Sequence, residues 1–208
     1  LDSLKTLYKD YYANPSSIHK EGQKARNLIE KSRYGISQYI GCNSDEIIFT
    51  SCATESNNLA IIGLAESYPE KNHIITTPIE HKSVLMPLKY LSSKGYKIDF
   101  VKVDKNGVID LDHLKSLING KTLLVCIIHG NNETGVLQDL ESIGKICKEK
   151  EVFFFTDAVQ SFCKEDIPLQ YIDMFSISGH KINAPKSIGM LYKKEGIKLT
   201  PIIFGGGQ

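Results

Sequence analysis

Apolar positions between 18 and 40 recur near helical spacing, with Ile18, Ala25, Ile29, Ile36 and Ile40 along one stripe. That period predicts a long amphipathic helix. The pattern then shortens to a β-rich run over 46–50 and lengthens again over 54–67. This second helical stretch has Ser, Thr and Glu at its start, as helix entries favour. The alternation continues down the chain: strand 73–77, helix 82–93, strand 97–103, helix 111–118. Residues 123–128 are apolar without alternation, as a strand covered on both faces requires. Helix 139–149, strand 152–156 and two further strands, 173–178 and 188–192, complete the series. Repeated strand–helix units of this length predict an α/β domain with a mainly parallel central sheet flanked by helices. No internal repeat and no low-complexity linker interrupts it.

Composition narrows this picture without changing it. The chain has 208 residues, 41% hydrophobic and 24% charged, with a net charge of +1. It is long enough for one sizeable core and has no charge imbalance that points to nucleic acid. No apolar run approaches the roughly 18 residues of a membrane span. The opening residues do not read as a secretory signal. The five cysteines, at 42, 52, 126, 147 and 163, form neither a Cys-x-x-Cys pair nor a zinc-like spacing. They read as free thiols in a reducing, cytoplasmic setting. The chain begins at Leu1 and ends Phe204-Gly205-Gly206-Gly207-Gln208, so an interior piece of a longer polypeptide is expected.

In open α/β sheets, ligands sit beyond the carboxyl ends of the strands. The polar residues that follow each strand are therefore the candidates. They are 51–55, Glu80-His81-Lys82, 129–133, 157–160 and 178–181. Lys181 follows a strand beside Ser178 and His180, where an amine can form a Schiff base with a carbonyl cofactor. Asp157 ends another apolar strand, and a carboxylate there suits a pyridinium nitrogen. Lysine and aspartate are the two groups that pyridoxal phosphate most needs. The segment around Ala53 and Thr54 joins a strand to a helix, a natural phosphate cradle. Each segment also has a plainer reading: an N-cap at 52–56, a capping aspartate at 157, a surface His81, a turn at 131–133, a solvated Lys181. Strand-end placement in the right order is what favours one shared site.

These segments carry a family resemblance. Asn14-Pro15-Ser16-Ser17-Ile18-His19, Ala53-Thr54-Glu55-Ser56-Asn57-Asn58-Leu59-Ala60 and Glu80-His81-Lys82-Ser83-Val84-Leu85 are three of them. His129-Gly130-Asn131-Asn132-Glu133-Thr134-Gly135, Asp157-Ala158-Val159-Gln160-Ser161 and Ser178-Gly179-His180-Lys181 are the others. Together they resemble the cysteine desulfurases of the NifS/IscS type, class V aminotransferase-fold enzymes that use pyridoxal 5'-phosphate. The likeness runs in order over nearly the whole chain.

The resemblance implies a fold-type-I large domain over 1–208, with the family's first strand before it and its small C-terminal domain after it. It implies that Lys181 carries the cofactor and moves protons on the substrate. Asp157 would pair with the ring nitrogen, and His81 would stack on the ring. Asn132 and Gln160 would lie on the phenolic-oxygen side. Ala53, Thr54, Ser178 and His180 would hold the phosphate. The implied reaction converts L-cysteine to L-alanine and leaves a persulfide for iron–sulfur or thiolated-cofactor assembly. A homodimer and a sulfur-accepting or scaffold protein are the implied partners, with no nucleic acid or membrane. Cys52, Ala184 and Ser187 stand where the family often has glycine. None of the five cysteines matches the sulfur-accepting position, which the resemblance places beyond Gln208.

The nearest alternative is selenocysteine lyase or another class V aminotransferase on the same scaffold. A metal hydrolase built on His81, His129, Asp157 and His180 would need ligand spacing that the chain lacks. A non-catalytic scaffold would have no use for both Lys181 and Asp157.

Overall fold

A computed structural model describes residues 2–205; Leu1, Gly206, Gly207 and Gln208 lie outside them. Of the described residues, 2–47 with 203–205 form one compact unit and 48–202 form a second.

In the first unit, α1 (Asp2–Asp10) precedes the long α2 (Lys20–Ile40). The α2 entry is set by His19, whose Nδ1 accepts the Gly22 N–H at 3.2 Å. Gly22 has a packing reason to lack a side chain: a Cβ there would lie 2.5 Å from the Ser17 carbonyl oxygen. Gly41 ends the helix in the left-handed region, φ 85°, and its N–H returns to the Ser37 carbonyl, the usual role of a glycine at that position.

The second unit is built on a seven-stranded sheet, whose first strand begins one residue before the unit does. Its strands are β1 (Ile47–Thr50), β2 (His73–Thr76), β3 (Lys97–Phe100), β4 (Thr122–Cys126), β5 (Phe153–Asp157), β6 (Met174–Ser178) and β7 (Gly189–Lys193). Their order is β1-β7-β6-β5-β4-β2-β3. The β3, β2, β4, β5 and β6 pairings are parallel, and β7 runs antiparallel to β6 with Ser178 opposite Gly189. β4 and β6 are buried at every residue, as strands covered on both faces must be.

One sheet face presents Cys126, Phe155, Met174 and Leu191 to a core completed by helices. These are the helical run α3 (Ala53–Asn58), a π-helical stretch (Leu59–Gly63) and α4 (Leu64–Ser67), together with α5 (Lys82–Ser93). Residues alternate across a strand, so Val125, Phe154 and Phe175 belong to the other face. There Phe175 stacks on Tyr192 with ring centroids 5.0 Å apart. Leu114 of α6 (Leu111–Leu117) and Ile143 and Ile146 of α7 (Leu140–Glu149) are also buried.

Two sequence expectations need adjustment, and one helix goes unannounced. The helix expected over 54–67 is continuous but passes through the π stretch. That stretch ends at Gly63, whose carbonyl accepts the Thr200 N–H at 3.0 Å and where a Cβ would lie 2.7 Å from the Thr200 oxygen. The strand expected over 97–103 stops at Phe100. Beyond it only Val101 still bonds to the Thr76 carbonyl, and Val103 bridges to Ile109 instead. Residues 2–10, with only Leu4 and Leu7 as apolar markers among mixed neighbours, form a helix that the hydrophobic pattern does not announce.

Candidate active site

The carboxyl ends of β1, β2, β4, β5 and β6 converge, and the residues that follow them line a cavity of about 230 Å³. Ala53 and Thr54 enter it from the start of α3, His81 and Ser83 from the start of α5, and Ile128 and Asn132 from beyond β4. Asp157, Val159 and Gln160 come from the end of β5, and Ser178, His180 and Lys181 from the end of β6. The nine residues selected from the sequence therefore lie on one cavity wall system. Cys52, Ser83, Ile128 and Val159 join them without having been assigned a role.

Local structure explains each placement. His81 caps α5, and its Nδ1 accepts the Ser83 N–H at 3.1 Å and meets the Ser83 hydroxyl at 2.7 Å. Lys181 sits on a tight 3₁₀ turn (Gly179–Ile182) that closes on Asn183 in the left-handed region, φ 64°. Gly179 is required there, since a Cβ would lie 2.6 Å from the Ile188 side chain. In the same turn the Ser178 hydroxyl is 3.0 Å from His180 Nδ1.

Cys52 precedes α3 with φ −173°, an extended conformation open to any residue. Cysteine in place of glycine is thus free of backbone strain there. The close approach falls to its neighbour Gly189, where a Cβ would lie 2.6 Å from the Cys52 backbone. Ser187 is different: its φ of 66° is left-handed, so serine occupies a conformation that glycine adopts more cheaply. Ala184 lies within the turn, its N–H bonded to the Gly179 carbonyl at 3.0 Å. The two strand-end asparagines divide their duties. Asn131 is a turn residue, its Oδ1 accepting from the N–H groups of Glu133 and Thr134 at 2.9 Å. Asn132 lines the cavity.

Asp157 is the carboxylate of this cavity wall. It is 3% exposed. Its Oδ1 accepts the Val159 N–H at 3.0 Å, and its Oδ2 accepts from Asn57 Nδ2 at 3.0 Å. Burial pushes its carboxyl above the ordinary range, and the two donors and His81 only partly oppose this. Among the described residues no cationic side chain pairs with it. A buried carboxylate facing a cavity in this state is a ready partner for a cationic ring nitrogen. Residues capable of holding pyridoxal phosphate are thus present together: a carboxylate for the ring nitrogen, an imidazole, neutral amides, a lysine and a hydroxyl-rich end. His129, by contrast, is not on the cavity wall, and among the described residues no group of three His, Cys, Asp or Glu side chains is placed to hold a metal ion.

Comparison with known proteins gives consistent findings. The family model described as Aminotransferase class-V matches residues 1–208. "Cysteine desulfurase IscS" of Rickettsia typhi is 49% identical over 214 residues, a match that covers 100% of this chain and 52% of the relative. A solved structure described as "NIFS-LIKE PROTEIN" superposes with a TM-score of 0.96 at 42% identity, covering 100% of this chain and 58% of the other. Another, "SspA in complex with cysteine", gives a TM-score of 0.95 at 44% identity, covering 100% and 61%. The chain spans about half the length of the curated relatives it matches.

Proposed function

The chain belongs to the class V aminotransferase family, and from that premise we propose that it forms the large, cofactor-binding domain of a pyridoxal-phosphate-dependent cysteine desulfurase. The observation that carries this reading is the buried Asp157 carboxylate, without a cationic partner among the described residues, on the cavity wall that also holds Lys181. Relatives named cysteine desulfurase, and a structural neighbour described in complex with cysteine, support L-cysteine as substrate. The products are L-alanine and a protein-bound persulfide, destined for iron–sulfur cluster or thiolated-cofactor assembly through an acceptor or scaffold protein. The active form is a homodimer. The five free thiols suit a reducing, cytoplasmic setting, and among the described residues no helix is long and apolar enough to cross a membrane.

In this reading the side chains divide the work. When bound, pyridoxal phosphate supplies an electron sink for negative charge at the substrate carbon. Asp157 would keep a proton on the ring nitrogen by stabilising the cation. His81 would cover the ring. Asn132 and Gln160 would meet the phenolic oxygen, where neutral amides hydrogen-bond without adding charge. The hydroxyls of Thr54 and Ser178, the N–H groups at the start of α3 and the His180 ring would hold the phosphate. Lys181 would provide the covalent attachment and would carry protons to and from the substrate carbons.

The test uses full-length protein loaded with the cofactor. Borohydride reduction followed by peptide mapping should place one pyridoxyl group on Lys181. Incubation with L-cysteine should give alanine and persulfide in equal amounts. A keto acid product would transfer the reading to an aminotransferase, a strong preference for selenocysteine would transfer it to a lyase, and label on another lysine would remove it.

A further inference from the structure

Asn57 was not singled out by the sequence, yet it is completely buried and touches two parts of the cavity wall. Its Nδ2 lies 3.0 Å from Asp157 Oδ2 and 2.8 Å from the Ser83 hydroxyl oxygen. The direction of these bonds follows from valence. An ionised Asp157 can only accept. The amide nitrogen has two hydrogens, so one goes to Asp157 and the other to Ser83. Turning the amide over would set its oxygen against the carboxylate, acceptor against acceptor. Ser83 Oγ therefore accepts from Asn57, and its own hydrogen points to His81 Nδ1 at 2.7 Å, sharing that nitrogen's lone pair with the Ser83 N–H at 3.1 Å. The amide oxygen, Asn57 Oδ1, is buried without a partner. A buried amide with one unsatisfied oxygen destabilises its surroundings, so packing alone does not account for an asparagine here. Its two donated hydrogens do.

We propose that Asn57 is a positioning residue that holds the Asp157 carboxylate toward the cofactor's ring nitrogen, with Ser83 locking the amide and extending the same chain to His81. This rests on the reading that Asp157 meets that nitrogen. Both groups assigned to the ring, the carboxylate and the imidazole, are then fixed by one relay that joins α3, α5 and β5. Asn57 donates to the ionised form of Asp157, so it favours the form that can bind a cation. Of the other titratable groups, His81 favours the charged form of this carboxyl, Glu80 ahead of α5 and Cys126 on β4 feel its charge, and His180 and Lys181 share its cavity wall.

The experiment measures cofactor affinity in full-length protein stripped of pyridoxal phosphate, by absorbance titration at about pH 6 and about pH 8.5. Unfolding midpoints are recorded beside it. Asn57→Ala should weaken binding about tenfold at the lower pH, the size of one charge-assisted hydrogen bond, and less at the higher pH. Ser83→Ala should change affinity in the same direction by a smaller factor, and Ser83→Thr, which keeps the hydroxyl, should restore it. Because Ser83 acts partly through Asn57 and partly through His81, the double Ala variant should lose less affinity than the two single losses combined. Equal loss at both pH values, or fully additive losses, would reduce the relay to a structural pin and overturn the proposal. If Asn57→Ala does not fold, Asn57→Leu supplies a near-isosteric side chain without donors, and Ser83→Ala reads the lock independently. Asp157→Asn separates the two levels. If it binds the cofactor with wild-type affinity and pH dependence, the underlying site reading fails. If it is impaired while the Asn57 and Ser83 variants behave as wild type, only the relay fails.

Discussion

Glu80 lies next to His81 in sequence but faces inward. Its Oε1 accepts from the Thr77 hydroxyl at 2.7 Å and the Ile128 N–H at 2.8 Å, and its Oε2 is buried without a partner. Burial first, with the nearby Asp157 charge adding to it, raises its carboxyl from 4.5 to about 8. The folded state therefore keeps a proton that the unfolded chain releases, so this group's contribution to stability is complete below about pH 4.5 and is lost as pH rises through about 8. Glu80→Gln keeps the accepting oxygen and has no proton to lose. Its stability relative to wild type should rise across that window, by at most about 1.4 kcal/mol per pH unit. Urea midpoints at about pH 5 and about pH 8 test this, and an unchanged difference between the two proteins would contradict it. Ser187, held at φ 66°, gives a second residue-level expectation: Ser187→Gly should stabilise the protein by about 1 kcal/mol in thermal unfolding. Single residues also mark the limit of legibility. Lys181 and Asp157 were readable because strand-end position and chemistry coincide in them. Asn57 and Ser83 were not, because a polar residue in a helix looks the same in sequence whether it meets water or a buried carboxylate.

At the scale of elements, the hydrophobic period located most helices and strands, because both sheet faces are covered and the apolar runs are long. The order of the strands was not legible. It depends on pairings between distant segments, such as β7 entering between β1 and β6, and no local pattern encodes them. The same entry makes Gly189 a structural requirement of the cavity, since the Cys52 backbone that leads into Ala53 and Thr54 rests against it. Gly189→Ala should displace that segment, cost about 1 to 3 kcal/mol as overpacking does, and weaken phosphate-dependent cofactor binding more than binding of the phosphate-free pyridoxal. Denaturation and the ratio of the two affinities check both parts. An unchanged ratio would detach the start of α3 from the phosphate.

Across the whole molecule, the five thiols differ by their surroundings. Cys163 is exposed, Cys42 and Cys52 are half-buried, and Cys126 and Cys147 are buried. Burial pushes the last two thiols well up, away from the reactive thiolate form. A thiol reagent applied to the native protein should modify Cys163 first and reach Cys126 and Cys147 only on unfolding; peptide mapping over time gives the order. Rapid modification of Cys126 would mean that the sheet opens where it is most tightly covered. The position of β1 has a consequence of another kind, in biosynthesis. β1 borders only β7 in the sheet, and β7 emerges from the ribosome roughly 140 residues later, about 7 to 28 s at ordinary elongation rates. During that interval the nascent chain already holds the start of α3 but has no neighbour for β1, so an unpaired strand waits on a partner not yet made. The first part of the cavity wall is thus translated early, while the strand that leads into it gains its sheet neighbour only when β7 is made.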